Sequence, residues 1–265
     1  MRPFRLGAGD TRKALLLLDP DDPEAEQKIR RKLERSSADE IAEGFREIAR
    51  KLEKWVNGWH GDPVDAMRQE MDAINVGLRD HRKLTDAVTR TVVNGADLGV
   101  QIAVRQLGTV GFGFDYTLVN TRARDWAREY AGELIKGIDS TTQDVVREAL
   151  GRWVENAEPL QALIDDLTPA FGPERAERVA TTEVTRAFAE GNKRIYEESG
   201  VVETWQWQTS QDEIVAQCPI CFPMQGEETP VGEDWIHPET GEAISIPGHV
   251  NCRCWAVAVI PGRGR

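Results

Sequence analysis

All four cysteines of the chain fall between residues 218 and 254, as Cys218-Pro-Ile-Cys221 and, after a loop, His249-Val-Asn-Cys252-Arg-Cys254. A Cys-x-x-Cys turn folds back to offer two thiolates, and a distant second cluster can close a tetrahedral shell around a structural Zn²⁺. Cys218, Cys221, His249, Cys252 and Cys254 therefore compete for four metal positions, and spacing alone leaves open which of the last three complete the shell that Cys218 and Cys221 begin. Cys252 and Cys254, two apart on an expected strand, should face the same side. His237, beside Pro238 in a polar loop, is expected on the surface and not on a metal.

Several other chemistries fit this pattern less well. A catalytic metal keeps one position open for water with a general base nearby, whereas a thiolate-rich set favours closure. There is no His-Glu-x-x-His, and no His-x-Glu precedes Cys218 as a zinc deaminase requires. The βαβ surroundings of a thioredoxin-like Cys-x-x-Cys are missing. Disulfides are the other use of four cysteines. Yet Ala14–Leu18 is too short to span a bilayer and Asp19-Pro-Asp-Asp22 is unlike a signal-peptide cleavage site, so a reducing cytoplasm is the default during synthesis, and there metal is favoured.

Charge narrows the partners. The 265-residue chain has a formal net charge of -12, and residues 197–260 hold eleven acids against one base, Arg253. A zinc module that reads DNA needs Lys and Arg to neutralise phosphates, so this one is not expected to read DNA. Residues 1–60 sum to about neutral, with thirteen bases and twelve acids, which gives little electrostatic support to a DNA-organising N-terminal segment.

The elements that must position the cluster are mainly helical. A basic arm and an acidic turn at Asp19–Glu24 precede Ser37-Ala-Asp-Glu40, which reads as a capping box opening a helix to about Val56 with Ile41, Phe45, Ile48, Ala49 and Leu52 on one face. Gly58–Pro63 breaks the pattern; residues 64–107 read as mostly helical, and Gly108–Gly113 as a connector, since no P-loop Gly-Lys-Ser/Thr follows. Helices are then expected over Thr121–Lys136, Ser140–Trp153 with a second capping box at Ser140 and Gln143, and Pro159–Leu167. Gly172-Pro173 opens a longer helix whose stripe runs through Ala176, Val179, Ala180, Val184, Ala187, Phe188 and Ile195, and Gly200 ends it. Beyond it the period drops to two in Thr204–Gln208 and in Trp255–Ile260, so the cysteine loop should be inserted between strands of a small sheet, with Trp205 and Trp207 filling its core. Glu183, Arg186, Lys193 and Arg194 read as a solvated helix face. Gly262–Arg265 reads as a short basic tail. The fold class is mainly α with a small C-terminal α+β module, divided as residues 1–114 and 115–265.

Beyond this, the residues resemble the phage head-morphogenesis, or minor head, protein family typified by the F protein of phage Mu. The likeness lies in Arg175–Phe188, Gly191-Asn192, Gly200-Val201, Trp205, Cys218-Pro-Ile-Cys221, Gly226 and His249-Val-Asn-Cys252-Arg-Cys254. Residues 127–167, with Trp126, Tyr130, Ile138, Thr141-Thr142 and Leu150, also look like its helical part, so the resemblance covers about 115–260. The family pattern usually has proline where Val250 stands, which leaves the ligands intact but alters the loop. The resemblance implies a virion component near the portal vertex, present in few copies, assembled in the host cytoplasm. It would bind portal and other head proteins, assist head assembly, DNA packaging or delivery, and have no enzymatic activity. Some relatives carry a fused toxin domain after this module; with Arg265 ending the chain, none is expected here. The competing reading is a metal-dependent hydrolase or nuclease, with Glu183, Asp212 or Glu213 as acidic partner.

Overall fold

The computed structural model describes residues 23–57, 81–108, 116–156, 160–210 and 213–260. Four long helices precede a small antiparallel sheet: α1 (Pro23–Asn57), α2 (Arg82–Gly108), α3 (Tyr116–Glu155) and, after the short α4 (Leu160–Leu167), α5 (Pro173–Ser199). Strand β1 (Thr204–Gln208) is central in a sheet ordered β2–β1–β5, flanked by β2 (Glu228–Pro230) and β5 (Trp255–Val259). A two-stranded hairpin of β3 (Trp235–Ile236) and β4 (Ala243–Ile244), and the short α6 (Glu213–Ala216), lie in the segment between β1 and β5. The expected class, helices followed by a small sheet with the cysteine loop inserted between strands, is the observed one. Among the described residues no helix is long and apolar enough to cross a membrane.

Several helix boundaries differ from the sequence reading, and α3 already begins at Tyr116 instead of Thr121. Ser37 does not start α1; it lies buried inside it, because Ile29 and Leu33 extend the apolar stripe of Ile41, Phe45, Ile48 and Leu52 upstream. Likewise Ser140 and Gln143 cap nothing, since α3 runs unbroken through them. The neighbouring hydroxyls of Thr141 and Thr142 donate to the carbonyls of Gly137 and Ile138 one turn back, within the helix. Gly172-Pro173 and Gly200 bound α5 as expected, with Gly200 in the left-handed region (φ 65°). The basic arm, Asp19–Asp22, the Gly58–Pro63 break, residues 64–80, Gly111–Gly113, Asp212 and the Gly262–Arg265 tail lie outside the described residues.

Packing is organised around α2 and α5. Leu98 and Ile102 of α2 meet Val184 and Phe188 of α5 and Ile29 and Leu33 of α1 in one cluster. A second, of small residues, joins Val92 and Ala96 to Ala127 and Ala131 of α3 and Ala187 of α5. The two backbones touch where Gly99 and Gly191 cross. A Cβ on Gly99 would fall on the Phe188 carbonyl oxygen, and one on Gly191 on the carbonyl of Ala96 and, at 2.8 Å, on the Val100 nitrogen. Only glycine permits this approach. The bundle's other end is tied by His81, whose Nε2 lies 2.8 Å from Asp139 of α3 and whose Nδ1 lies 3.2 Å from the Thr85 hydroxyl.

Two outcomes are expected from this packing. Gly99→Ala gains at most about 1 kcal/mol of helix propensity but overpacks immobile backbone, which costs about 1–3 kcal/mol, so its midpoint in a denaturant melt should fall. Gly132→Ala, with nothing within 4 Å of the added methyl, should be neutral or stabilising. Hydrogen bonding to Asp139 raises the His81 pKa above 6.5. That contribution is complete below 6.5 and is lost as pH rises through the higher folded value. The melting temperature should therefore decline over that alkaline-going range in the native protein, and Asp139→Asn should flatten the decline; an unchanged profile would remove the pair from the account.

Candidate metal centre

The segment between β1 and β5 returns on itself so that both halves of the Cys/His pattern meet. Cys218 and Cys221 sit on a turn in which the Phe222 amide donates to the Cys218 carbonyl (3.0 Å) and the Cys221 amide donates to the Cys218 Sγ (3.3 Å). The latter is the folding-back expected of a Cys-x-x-Cys turn. On the other side the Cys252 amide donates to the His249 carbonyl (3.2 Å), and Asn251 adopts positive φ (66°) to aim Cys252 inward. Cys252 and Cys254 both face the cluster, as their spacing suggests, but from the stretch just before β5 and not from the strand itself.

The five candidates form two triads that share Cys221: Cys218–Cys221–His249 and Cys221–Cys252–Cys254, with ligand atoms within 4.8 Å of one another in each. His249 Nε2 lies 3.0 Å from Cys221 Sγ and 3.3 Å from Cys218 Sγ, and Cys221 Sγ lies 3.8 Å from Cys252 Sγ. Tetrahedral bonds of about 2.3 Å to sulfur would place two thiolates about 3.8 Å apart, the separation of Cys221 and Cys252; no four of the five candidates lie within 4.8 Å of one another. Cys221, Cys252 and Cys254 are buried, and the close thiols compete for protons: contact with Cys252 pushes Cys221 up, and contact with Cys221 pulls Cys252 down. A bound cation removes that competition by favouring thiolate at every position. His249 Nδ1 lies 2.7 Å from the Val250 carbonyl, an arrangement that fixes the tautomer leaving Nε2 free to ligate. No carboxylate joins either triad among the described residues. The cluster is thus compatible with a metal site of soft N/S donors.

Three walls hold it. Trp207, Trp205 and Trp235 fill the core beside Cys221, Cys252 and Cys254, with Trp205 stacked on Trp235 at 4.5 Å and Trp207 edge-on to it at 5.2 Å. From α5, the Thr182 hydroxyl accepts from the Asn251 amide (3.0 Å) and the Asn192 amide group donates to the Ala256 carbonyl (3.4 Å). From α1, the Arg30 guanidinium donates to the carbonyls of Arg253 and Cys254, while Glu34 accepts from Arg253 at 2.9 Å. Arg30 and Glu34 also pair with each other at 3.6 Å, their side chains 2% and 4% exposed. Arg30 further stacks over the rings of Phe188 and Trp255.

Two sequence expectations are corrected here. His237 is buried, not on the surface; its Nδ1 accepts from the amides of Glu239 and Thr240, so it closes the β3–β4 turn. Glu183 is also buried and accepts from the Tyr130 hydroxyl at 2.8 Å, with Arg186 at 3.3 Å, which removes it from a plain solvated face. Burial raises its pKa against the pull of Arg186. It joins neither triad. Arg30 and Glu34 went unnoticed in the sequence, where an i,i+4 pair on a helix carries no sign of a partner more than 200 residues away.

No family model and no solved structure matches the chain. The uncharacterized protein YqbB of Bacillus subtilis (strain 168) is 23% identical over 159 residues, covering 56% of this chain, and the match spans about half (52%) of that protein's length.

The α1 anchor yields a direct expectation. Arg30→Met keeps much of the stem but strips the Arg253 and Cys254 carbonyls of their donor and leaves Glu34 with less compensation. Breaking such a buried pair costs about 3–5 kcal/mol, so chemical denaturation should show a loss of that order. A loss below about 1 kcal/mol would mean that water or Arg253 replaces it.

Proposed function

We propose that the chain is a structural minor head protein of a phage: a non-enzymatic virion component near the portal vertex that assists head assembly, DNA packaging or delivery. One observation carries the reading. The widely spaced segments that bear the resemblance to head-morphogenesis proteins, residues 175–188 and the Cys/His knuckle, touch each other, through Thr182 and Asn251 at 3.0 Å and through Thr181 and Arg253 at 3.4 Å. A signature whose parts form one packed unit is better support than scattered matches.

The ion in this reading is Zn²⁺, drawn from Cys218, Cys221, His249, Cys252 and Cys254. When bound, it supplies a tetrahedral cross-link between two loops, and thiolate-imidazole donors suit it better than Mg²⁺ or Ca²⁺. The module's sheet is only three short strands, so binding energy at such a site acts as folding energy, about 10 kcal/mol or more in other structural zinc sites. The helices then supply the contacts to portal and head proteins.

The test has two arms. Metal analysis of protein purified without chelator should return one zinc per chain, and mass spectrometry of purified heads should find the chain at a few copies per particle. Cys218→Ser should lower head incorporation while circular dichroism keeps the helical signal. Absence from purified heads, or hydrolytic activity that follows the metal, would overturn the reading.

A further inference from the structure

Five donors stand around a centre with four positions, and the backbone that carries them separates one from the rest. Cys218 and Cys221 close a turn of two-residue spacing. His249 and Cys252 close a second turn of the same spacing, in which the Cys252 amide donates to the His249 carbonyl (3.2 Å). Short contacts run between these two turns: His249 Nε2 lies 3.3 Å from Cys218 Sγ and 3.0 Å from Cys221 Sγ, and Cys221 Sγ lies 3.8 Å from Cys252 Sγ. A tetrahedron with bonds of about 2.0 Å to nitrogen and 2.3 Å to sulfur has edges of about 3.5–3.8 Å. Three such edges, which together link Cys218, Cys221, His249 and Cys252, are therefore within about half an ångström of their length. Cys254 belongs only to the second triad, with Cys221 and Cys252.

No four donors lie within 4.8 Å of one another, so binding one ion at four of them needs a movement of about 1 Å or more. Backbone anchoring decides which donor can make it. The 249–252 turn is bonded largely within itself. His249 Nδ1 lies 2.7 Å from the Val250 carbonyl, Val250 and Asn251 are exposed, and the Asn251 amide rests on the Thr182 hydroxyl of α5. Cys254, by contrast, is fixed on both sides. Its carbonyl accepts from Arg30 at 3.3 Å, the Arg253 carbonyl before it accepts from the same guanidinium, and Trp255 after it opens β5 in register with Gln208 of β1. Its side chain is fully buried in the core that holds Trp205, Trp207 and Ala256. Bringing this sulfur to an ion between the two turns takes a new rotamer in a filled core or a shift of β5 off Arg30 and β1, and close-packed interiors resist both.

We infer that the ion is held by Cys218, Cys221, His249 and Cys252, three thiolates and one imidazole, and that Cys254 stays uncoordinated as a core thiol behind it; this rests on the metal reading of the cluster. The test uses the full-length chain loaded with Zn²⁺ and, separately, with Co²⁺, whose sulfur-to-metal charge-transfer absorption reports the number of bound thiolates. Wild-type protein should show three thiolates and one nitrogen. Cys254→Ala should keep one zinc per chain, an affinity within about twofold of wild type, and the same cobalt spectrum, whereas Cys252→Ala and His249→Ala should each weaken binding about a hundredfold or more. The charge-transfer absorption should drop in Cys252→Ala and persist at high cobalt in His249→Ala. Four thiolates in the wild-type spectrum, or loss of zinc from Cys254→Ala with its helical circular dichroism intact, would overturn the assignment and leave the metal reading standing. Should Cys254→Ala not fold, the wild-type spectrum decides alone. A wild-type chain that takes up neither ion would overturn both.

Discussion

Backbone contact between α2 and α5 is the constraint on which the rest of the molecule depends. With Gly99 and Gly191 at the crossing, the two helices approach until the peptide groups of one turn meet those of the other. That approach brings Leu98 and Ile102 against Val184 and Phe188, and it leaves a narrow layer filled by Val92 and the small residues Ala96, Ala127, Ala131 and Ala187. Thr181, Thr182 and Asn192, which hold the loops of the Cys/His module, lie on the same stretch of α5. Their position relative to α1 is therefore set by how closely α2 lets α5 come.

The module is fastened to this frame by polar groups as much as by apolar burial. Arg30 reaches the successive carbonyls of Arg253 and Cys254, and Glu34 meets the Arg253 side chain. Buried charges of this kind are weak evidence of net stability, because desolvation offsets most of the attraction. Their value lies in direction: two carbonyls and one guanidinium have few ways to be satisfied together, so the knuckle docks in one register. Trp207 and Trp235 then fill the space behind the sulfurs, where water would otherwise compete for them.

The acidic, cysteine-bearing end and the helical body thus differ in how they use their apolar surface. The body spends its apolar surface internally, in clusters that link α1, α2, α3 and α5. The knuckle keeps Ile220, Phe222 and Val250 outside, next to residues already held by their neighbours.

Much of this was written in local pattern. The stripe from Ala176 to Ile195, the Gly172-Pro173 start and Gly200 stop of α5, the alternation at Thr204–Gln208 and the Cys-x-x-Cys turn all follow from periodicity and from what each residue's backbone tolerates, which needs no distant partner. The clustering of five ligand candidates was likewise legible, because spacing restricts where a turn can place its thiols. Where sequence reasoning stopped short, a distant neighbour decided the outcome. Ser37 and Ser140 carry cap chemistry but lie inside helices, since packing upstream and downstream outweighs a local cap. His237 and Glu183 are polar yet buried, because turn amides for one and Tyr130 for the other satisfy them. The pairing of Arg30 with residues 253 and 254 depends on α1, α5 and the end of the chain meeting in space. Sequence alone determined that helices give way to a small sheet and which residues could bind a metal, because periodicity and spacing are short-range properties; tertiary structure alone decided where α1 and α3 begin and what surrounds and anchors that site, because those contacts exist only once remote segments are packed together.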